Sequence, residues 1–183
     1  MPRLVLASQS PRRRELLTTA GFSFDVRVRP VEEVRGAGET PEAYVQRLAA
    51  EKAEASWEDR DEIVLGADTV VVLDHDVLEK PKDLADARHM LERLSGREHR
   101  VITGICIRYP GGCKVDHVST AVRFAPLSAA EIEAYVASGE SMDKAGAYAI
   151  QGLASKFVER IDGCFFNVVG LPVSRVYRYL QAL

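Results

Sequence analysis

Residues 63–72 read Ile-Val-Leu-Gly-Ala-Asp-Thr-Val-Val-Val, an apolar stretch with one acidic side chain, Asp68, near its centre. Runs rich in β-branched residues are typical of strands. An ionised carboxylate inside such a strand is costly unless it is paired, hydrogen-bonded or bound to a metal. Gly66 and Ala67 precede the acid, and small residues there let another backbone or a ligand come close. Asp68 is therefore the first candidate functional residue; the alternative is an ordinary turn aspartate between two short strands.

The composition excludes several broad classes of protein. The chain has 183 residues, 46% of them hydrophobic, and a net charge of -3. A negative net charge argues against nucleic acid held by a broad basic surface. Three widely spaced cysteines without a Cys-x-x-Cys pair predict neither a disulfide framework nor a zinc site. No apolar segment reaches the length of a membrane span or a signal-peptide core, so we expect a cytoplasmic protein.

The order of predicted elements indicates an α/β protein with a mixed sheet. Strands alternate with helices early in the chain, and the pattern over 98–124 predicts a long antiparallel hairpin. Residues 22–28 alternate apolar and polar side chains, which predicts a strand with one buried face. Helices are predicted over 41–57 and 83–94. No repeat or linker divides the chain, so we expect a single domain over 1–183.

The first predicted helix begins with the features of an anion site. Pro11 suits the first helical turn, and Ser10 before it is a natural N-cap. The backbone amide groups of that turn would lie beside Arg12, Arg13 and Arg14, which favours phosphate. Three consecutive arginines cannot share one helical face, so we expect at least one to lie at the surface only. The alternative is a solvated basic helix start.

Two lysines have a position that suggests a role. Tyr44, Leu48 and Lys52 follow one another at a spacing of four on one face of the predicted 41–57 helix. Lys52 therefore extends a buried stripe, either as a lysine that snorkels to solvent or as a cation aimed into a cleft. Lys80 precedes a proline, so it projects from extended or loop backbone and not from a helix.

Two predicted loops carry further candidates. The loop over 31–39 contains Glu33 beside another glutamate, either as solvated acids of a rim or as a metal or substrate contact. The segment over 143–152 is dense in small residues and carries Lys144 and Gln151. Small residues let backbone lie close to a ligand that a glutamine amide can then recognise. The alternative is a packed loop at the edge of the sheet.

Seven short motifs are spread over nearly the whole chain. They are Ser-Gln-Ser-Pro-Arg-Arg at 8–13, Glu-Lys-Ala at 51–53, Gly-Ala-Asp-Thr at 66–69, Lys-Pro at 80–81, Asp-Lys-Ala-Gly-Ala-Tyr at 143–148, Ile-Gln-Gly at 150–152 and Asn-Val-Val-Gly-Leu-Pro at 167–172. Together they resemble the Maf family of nucleoside triphosphate pyrophosphatases. The motif at 66–69, with Ala-Tyr-x-Ile-Gln-Gly, is similar to the branch that acts on dTTP and UTP and not to the 7-methyl-GTP branch.

The resemblance implies a fold similar to inosine triphosphate pyrophosphatases, an elongated mixed sheet flanked by helices in two lobes with a central cleft. It also implies hydrolysis of dTTP and UTP, with modified pyrimidine nucleotides as further candidates, to the monophosphate and pyrophosphate. This would be a house-cleaning activity with a link to cell division arrest. The alternative is a non-catalytic nucleotide-sensing regulator of cell division or septum formation. The expected partner is the nucleotide, not nucleic acid or a membrane, and a homodimer is left open.

The resemblance assigns roles to individual residues. Asp68 is the implied catalytic base, and Asp68 and Glu33 are the implied ligands of Mg²⁺ or Mn²⁺. A carboxylate bound directly to a metal is a weak base, so holding the metal is an alternative role for Asp68. The implied substrate-binding residues are Ser8, Arg12, Arg13, Lys52, Thr69, Lys80 and Gln151, with base discrimination at Gln151, Thr69 and Arg12.

Overall fold

The computed structural model describes residues 3–183. The chain divides into two compact units, each made of separate stretches of sequence. The first unit contains the residues up to Thr69 together with Thr103–Val118 and Gly170–Leu183. The second unit contains Val70–Ile102 and Ser119–Val169. The chain therefore leaves the first unit directly after Asp68 and Thr69.

Among residues 3–183, seven strands form one sheet. They are β1 (Arg3–Leu6), β2 (Asp25–Val26), β3 (Glu62–Leu73), β4 (Asp76–Leu78), β5 (Glu98–Tyr109), β6 (Gly112–Phe124) and β7 (Val158–Asp162). The neighbouring strands follow the order β2-β1-β3-β5-β6-β7, and β4 pairs with β3. Strand β1 runs parallel to β2 and β3, whereas β4 is antiparallel to β3 and β7 to β6. The predicted mixed sheet is confirmed, and Asp68 lies within a strand and not in a turn.

Helices flank the sheet, as predicted. They are α1 (Pro11–Thr19), α2 (Pro41–Ala55), α3 (Leu84–Leu94), α4 (Ala129–Ala137), α5 (Phe165–Val169) and α6 (Val173–Gln181), with 3₁₀ turns at Ala145–Ala147 and Leu153–Phe157. The predicted helices over 41–57 and 83–94 correspond to α2 and α3. None of the helices in the described part of the chain is long and apolar enough to cross a membrane.

Helix caps in the first unit form where the sequence predicts them. The Ser10 hydroxyl accepts a hydrogen bond from the backbone N–H of Arg13 at 3.4 Å, and Pro11 occupies the first turn of α1. Such caps satisfy backbone donors that have no partner within a helix. One apolar cluster of this unit joins β1, β3 and β5 to α2. Its buried members are Val5, Ala7, Ala49, Ala53, Val64 and Cys106.

The core of the second unit is aromatic. Phe124 contacts Tyr148 edge to face at a centroid distance of 4.8 Å, and Tyr135 contacts Phe157 in the same way at 5.6 Å. His99 is buried among them and shares a 2.8 Å hydrogen bond with the Tyr148 hydroxyl. Burial lowers the pKa of His99 to about 4, so this imidazole is neutral at neutral pH.

The predicted strand over 22–28 is much shorter in the structure, and its predicted buried face is not buried. Only Asp25–Val26 pairs with β1, through Val5 and Leu6, and Val26 is 45% exposed. Strand β1 ends at Leu6, so it offers no strand partner beyond Val26, whereas residues 22–24 do not pair although β1 extends back to Arg3. Alternation of side chains shows which residues share a face, but a neighbouring strand or helix decides whether that face is covered.

Candidate active site

Two glycines let helix α2 approach the sheet closely. A Cβ atom at Gly66 on β3 would lie 2.1 Å from the carbonyl oxygen of Ala49, and one at Gly104 on β5 would lie 2.2 Å from that of Val45. Real Cβ atoms do not approach other atoms within 3.0 Å. Glycine is therefore required at both positions. The predicted close approach at Gly66 is confirmed, and the approaching group is the α2 backbone.

This contact brings Lys52 of α2 to Asp68 of β3. The Lys52 ammonium donates a hydrogen bond to Asp68 Oδ1 at 2.7 Å. It also forms an ion pair with Glu33 Oε1 at 2.8 Å. The side chains of Lys52 and Asp68 are 15% and 12% exposed, whereas that of Glu33 is 50% exposed. Of the two alternatives for Lys52, the structure shows a cation directed at the candidate acid and not a lysine that snorkels to solvent.

The carboxylate of Asp68 retains hydrogen-bonding capacity. Within residues 3–183, Lys52 is its side-chain hydrogen-bond donor, and Oδ2 accepts no hydrogen bond. An ionised carboxylate has roughly four acceptor sites on its two oxygens. A water molecule, a cation or a donor on a ligand can therefore bind to Asp68 in addition to Lys52.

The donor set around Asp68 suits a hard cation. The carboxylates of Asp68 and Glu33 both lie within 2.8 Å of one position, which the Lys52 ammonium occupies. The described residues contain no group of three or more acidic, histidine or cysteine side chains that could hold a metal by themselves. Mg²⁺ is commonly bound by one or two carboxylates together with water and substrate phosphates. Two convergent carboxylates fit that pattern.

Arg13 ties helix α1 to the residues on both sides of Asp68. Its Nη1 donates to the carbonyl oxygen of Ala67 at 2.9 Å, and its Nη2 donates to the Thr69 hydroxyl at 2.9 Å. Further hydrogen bonds reach Ser8 Oγ at 3.1 Å and the Gly170 carbonyl oxygen at 2.8 Å. Burial lowers the pKa of Arg13, and the charge of Asp68 opposes this. At least four of the five guanidinium N–H groups are engaged, so Arg13 fixes the backbone that presents Asp68.

Ser8 and Arg12 complete the part of the site contributed by the start of α1. Ser8 is 6% exposed, and its hydroxyl accepts from the backbone N–H of Ser10 at 3.2 Å as well as from Arg13. Arg12 is half-buried, and its like charge contributes to the lowered pKa of Arg13. Arg14 is exposed, as expected for at least one of the three arginines.

Two groups in this network were not predicted from the sequence. The buried hydroxyl of Thr103 on β5 forms a 2.9 Å hydrogen bond with the Thr69 hydroxyl. Thr103 lies in an apolar strand pattern, which carries no sign of its partner 34 residues away. The carbonyl oxygen of Gly170 had a signal, because Gly170 belongs to the motif at 167–172.

Lys80 and Gln151 belong to the second unit. Lys80 is exposed in the loop after β4, next to Glu79, whose carbonyl oxygen accepts from the backbone N–H of Gly146 at 3.1 Å. Gln151 is exposed in the turn that precedes the 3₁₀ turn Leu153–Phe157. The structure thus gathers Ser8, Arg12, Arg13, Glu33, Lys52, Asp68 and Thr69 in the first unit. The catalytic, metal-binding and substrate-binding roles assigned to these residues, and to Lys80 and Gln151, stay predictions.

A family model described as Maf-like protein matches residues 3–183. The chain belongs to the Maf family. This confirms the family predicted from the motifs and covers all of the described residues.

Curated Maf relatives match this chain over nearly its full length. A protein of Anaeromyxobacter sp. (strain Fw109-5), named dTTP/UTP pyrophosphatase, is 54% identical over 98% of this chain and 88% of its own length. A protein of the same name from Vibrio cholerae is 52% identical over 93% of this chain and 92% of its own.

A solved structure supports the fold of this Maf-family chain. A HAM1 protein from Coxiella burnetii has a TM-score of 0.55 with 16% sequence identity, and the match covers 100% of each chain. At this identity the likeness shows the fold alone, and it agrees with the predicted α/β architecture.

Proposed function

We propose that this chain hydrolyses dTTP and UTP to the nucleoside monophosphate and pyrophosphate, with Asp68 as the catalytic residue. The two relatives named dTTP/UTP pyrophosphatase, at 54% and 52% identity, support the substrate and the reaction. The observation that carries the assignment of Asp68 is its buried carboxylate, which Lys52 holds at 2.7 Å while one oxygen remains available. We further propose that residues 1–183 act as one catalytic domain.

Lys52 explains how a site with two acids can accept a polyanion. Asp68 and Glu33 together carry two negative charges, and a nucleoside triphosphate carries about four. The shared ammonium neutralises part of the negative charge of Asp68 and Glu33 and so reduces their repulsion of the triphosphate. An ammonium has three N–H groups, of which one donates to Asp68 while the charge also pairs with Glu33, so it can still donate to a phosphate oxygen.

Glu33 and Asp68 would hold the divalent cation that nucleotide pyrophosphatases generally use. When bound there, Mg²⁺ or Mn²⁺ would neutralise charge on the phosphates and lower the pKa of a water molecule. The carboxylate of Asp68 would orient the attacking water by a hydrogen bond, or accept its proton where Asp68 does not itself bind the metal. Arg13 keeps Asp68 in place by bonding to Ala67 and Thr69.

The remaining substrate contacts follow from charge and hydrogen-bonding type. Ser8, Arg12 and the first-turn amides of α1 suit phosphate oxygens, and Lys80 is a further cation of the kind that binds phosphate. The Gln151 amide offers a donor and an acceptor, which match O4 and N3–H of uracil or thymine. A link to cell division arrest stays a prediction.

The test follows the oxygen of water through the reaction. Wild-type protein is incubated with dTTP and Mg²⁺ or Mn²⁺ in ¹⁸O-labelled water, and the products are separated. Attack at the α phosphorus breaks the α–β bridging bond, so we expect unlabelled pyrophosphate and labelled thymidine monophosphate. Orthophosphate as the first product, label in pyrophosphate, or full rate with EDTA present would contradict the proposal.

A further inference from the structure

The segment that carries Gln151 is fastened on both sides. The backbone N–H of Ala149 donates to the Tyr135 hydroxyl at 3.2 Å. The backbone N–H of Leu153 donates to both carboxylate oxygens of Glu140, each at 3.1 Å. Gln151 lies midway, two residues from each contact. Its backbone is therefore restrained from both directions, although its side chain is exposed.

The two groups that fasten this segment are bonded to each other. The Tyr135 hydroxyl donates to Glu140 Oε1 at 3.0 Å. The Tyr135 ring is 2% exposed and packs edge to face on Phe157. Because the ring is buried, its hydroxyl has little freedom, and it fixes the carboxylate that binds Leu153.

The Glu140 carboxylate lies where a side chain at position 152 would begin. A Cβ atom at Gly152 would lie 2.2 Å from Glu140 Oε1. The φ angle of Gly152 is -100°, outside the left-handed region that favours glycine. A side chain at this position would therefore have to displace the Glu140 carboxylate, without straining the backbone.

We propose that Tyr135 and Glu140 are positioning residues that set the base preference by holding the Gln151 segment in one orientation. This inference rests on the proposed function, in which Gln151 reads the base. A glutamine amide in one orientation matches O4 and N3–H of uracil or thymine. After a 180° turn it matches the amino group and bare N3 of cytosine. The restrained backbone at 149 and 153 sets the place from which the Gln151 amide reaches the base, so the amide can favour one base only while that place is fixed.

The first test measures kcat/KM for dTTP and CTP with the full-length protein. Glu140→Ala and Tyr135→Phe should each reduce the preference for dTTP over CTP by about tenfold, with Gln151→Ala as the reference. Glu133→Ala is the matched control, because Glu133 is an exposed acid of α4 that pairs with Arg88 instead. It should leave the preference within about twofold. Equal proportional losses on dTTP and CTP in Glu140→Ala and Tyr135→Phe would overturn the positioning role.

Gly152 allows the contact to be tested by a double-mutant cycle. Gly152→Ala should reduce the preference in wild type, because its new methyl group displaces the Glu140 carboxylate. It should cause no further loss in the Glu140→Ala background, where that carboxylate is absent. Additive losses would show that Gly152 acts independently of Glu140 and would contradict the inference.

Hydrogen exchange separates this inference from the proposed function. Without nucleotide, amide exchange over 149–153 should be faster in Glu140→Ala than in wild type or Glu133→Ala. If Gln151→Ala leaves the base preference unchanged, the proposed role of Gln151 fails, whatever the exchange shows. If Gln151→Ala removes the preference while Glu140→Ala and Tyr135→Phe retain it, only the positioning inference fails. Unchanged exchange in Glu140→Ala would also overturn it.

Discussion

Glu62 and Asp68 lie on the same strand, six residues apart, and both are buried acids. Glu62 is 1% exposed and Asp68 is 8% exposed. Arg27 binds Glu62 through contacts at 2.7 and 3.2 Å, and Arg3 adds one at 3.1 Å. Two backbone N–H groups, of residues 58 and 59, also donate to Glu62. Asp68 receives a single side-chain donor from the described residues, Lys52.

The difference shows that burial alone does not identify a functional acid. The hydrogen bond from Arg27, with help from other donors, lowers the pKa of Glu62 to about 2 against the opposing effect of burial. A carboxylate with all its partners supplied by the protein stabilises the fold and has little capacity for a ligand. Asp68 shares one lysine with Glu33 and keeps an oxygen available, so it can still bind a water or a cation.

Asp68→Asn should give the largest effect on activity. The amide keeps the volume of the side chain but removes the charge that metal-assisted attack requires. We expect kcat to fall at least about a hundredfold, a barrier increase of about 2.7 kcal/mol. Unfolding measurements should show stability close to wild type, because Lys52 keeps its ion pair with Glu33. A variant that retains more than about a tenth of wild-type kcat would remove Asp68 from catalysis.

Glu62→Gln should produce the opposite result. The amide loses the charge-assisted hydrogen bonds from Arg3 and Arg27, and its NH₂ group then faces N–H donors that need an acceptor. We expect a loss of about 1 to 3 kcal/mol in the free energy of unfolding, measured by urea denaturation at pH 7. The kcat of the folded variant should remain within about twofold of wild type. A loss of turnover comparable to that of Asp68→Asn would break the comparison.

The pH dependence of this variant provides its control. The pKa of Glu62 is about 2 in the folded protein, below the ordinary glutamate value of 4.5. An acid with a lowered folded pKa contributes stability that is present above about pH 4.5 and is lost as the pH falls toward about 2. The stability advantage of wild type over Glu62→Gln should therefore be constant above about pH 5 and shrink as the pH falls from about 4.5 toward about 2. An advantage that stays constant across that lower range would show that the Glu62 charge is not responsible.

Local signals allowed much of the fold to be predicted. The Ser10 cap of α1 depends on residues three apart, so the sequence shows it directly. The strand over 22–28 could not be predicted correctly, because its burial depends on partners elsewhere in the chain. Hydrogen bonds between residues close in sequence can be predicted from the sequence, whereas the burial of one face of a strand cannot.

The site was predictable as a set of residues but not as an arrangement. The motifs and the apolar setting singled out Asp68, and helical spacing made Lys52 a candidate. Their contact depends on α2 lying against Gly66 and Gly104, which no local pattern predicts. Glu62 was not singled out although it is more deeply buried than Asp68, because Arg3 and Arg27 are 59 and 35 residues away.

Glu33→Gln should have the smallest effect on activity and stability. It tests whether Glu33, like Asp68 and unlike Glu62, takes part in binding the cation. Glu33 shares Lys52 with Asp68 but is 50% exposed, so solvent screens its charge and water can replace one ligand oxygen. In a Mg²⁺ titration at fixed dTTP, we expect the concentration for half-maximal activity to rise about threefold to tenfold. The kcat at saturating Mg²⁺ should stay within about threefold of wild type, because Asp68 keeps the charge needed at the reacting water. Stability should change by less than about 0.5 kcal/mol, as for most exposed substitutions. If the metal dependence is unchanged, Glu33 serves only to hold Lys52, and the cation site then depends on Asp68 and the substrate phosphates alone.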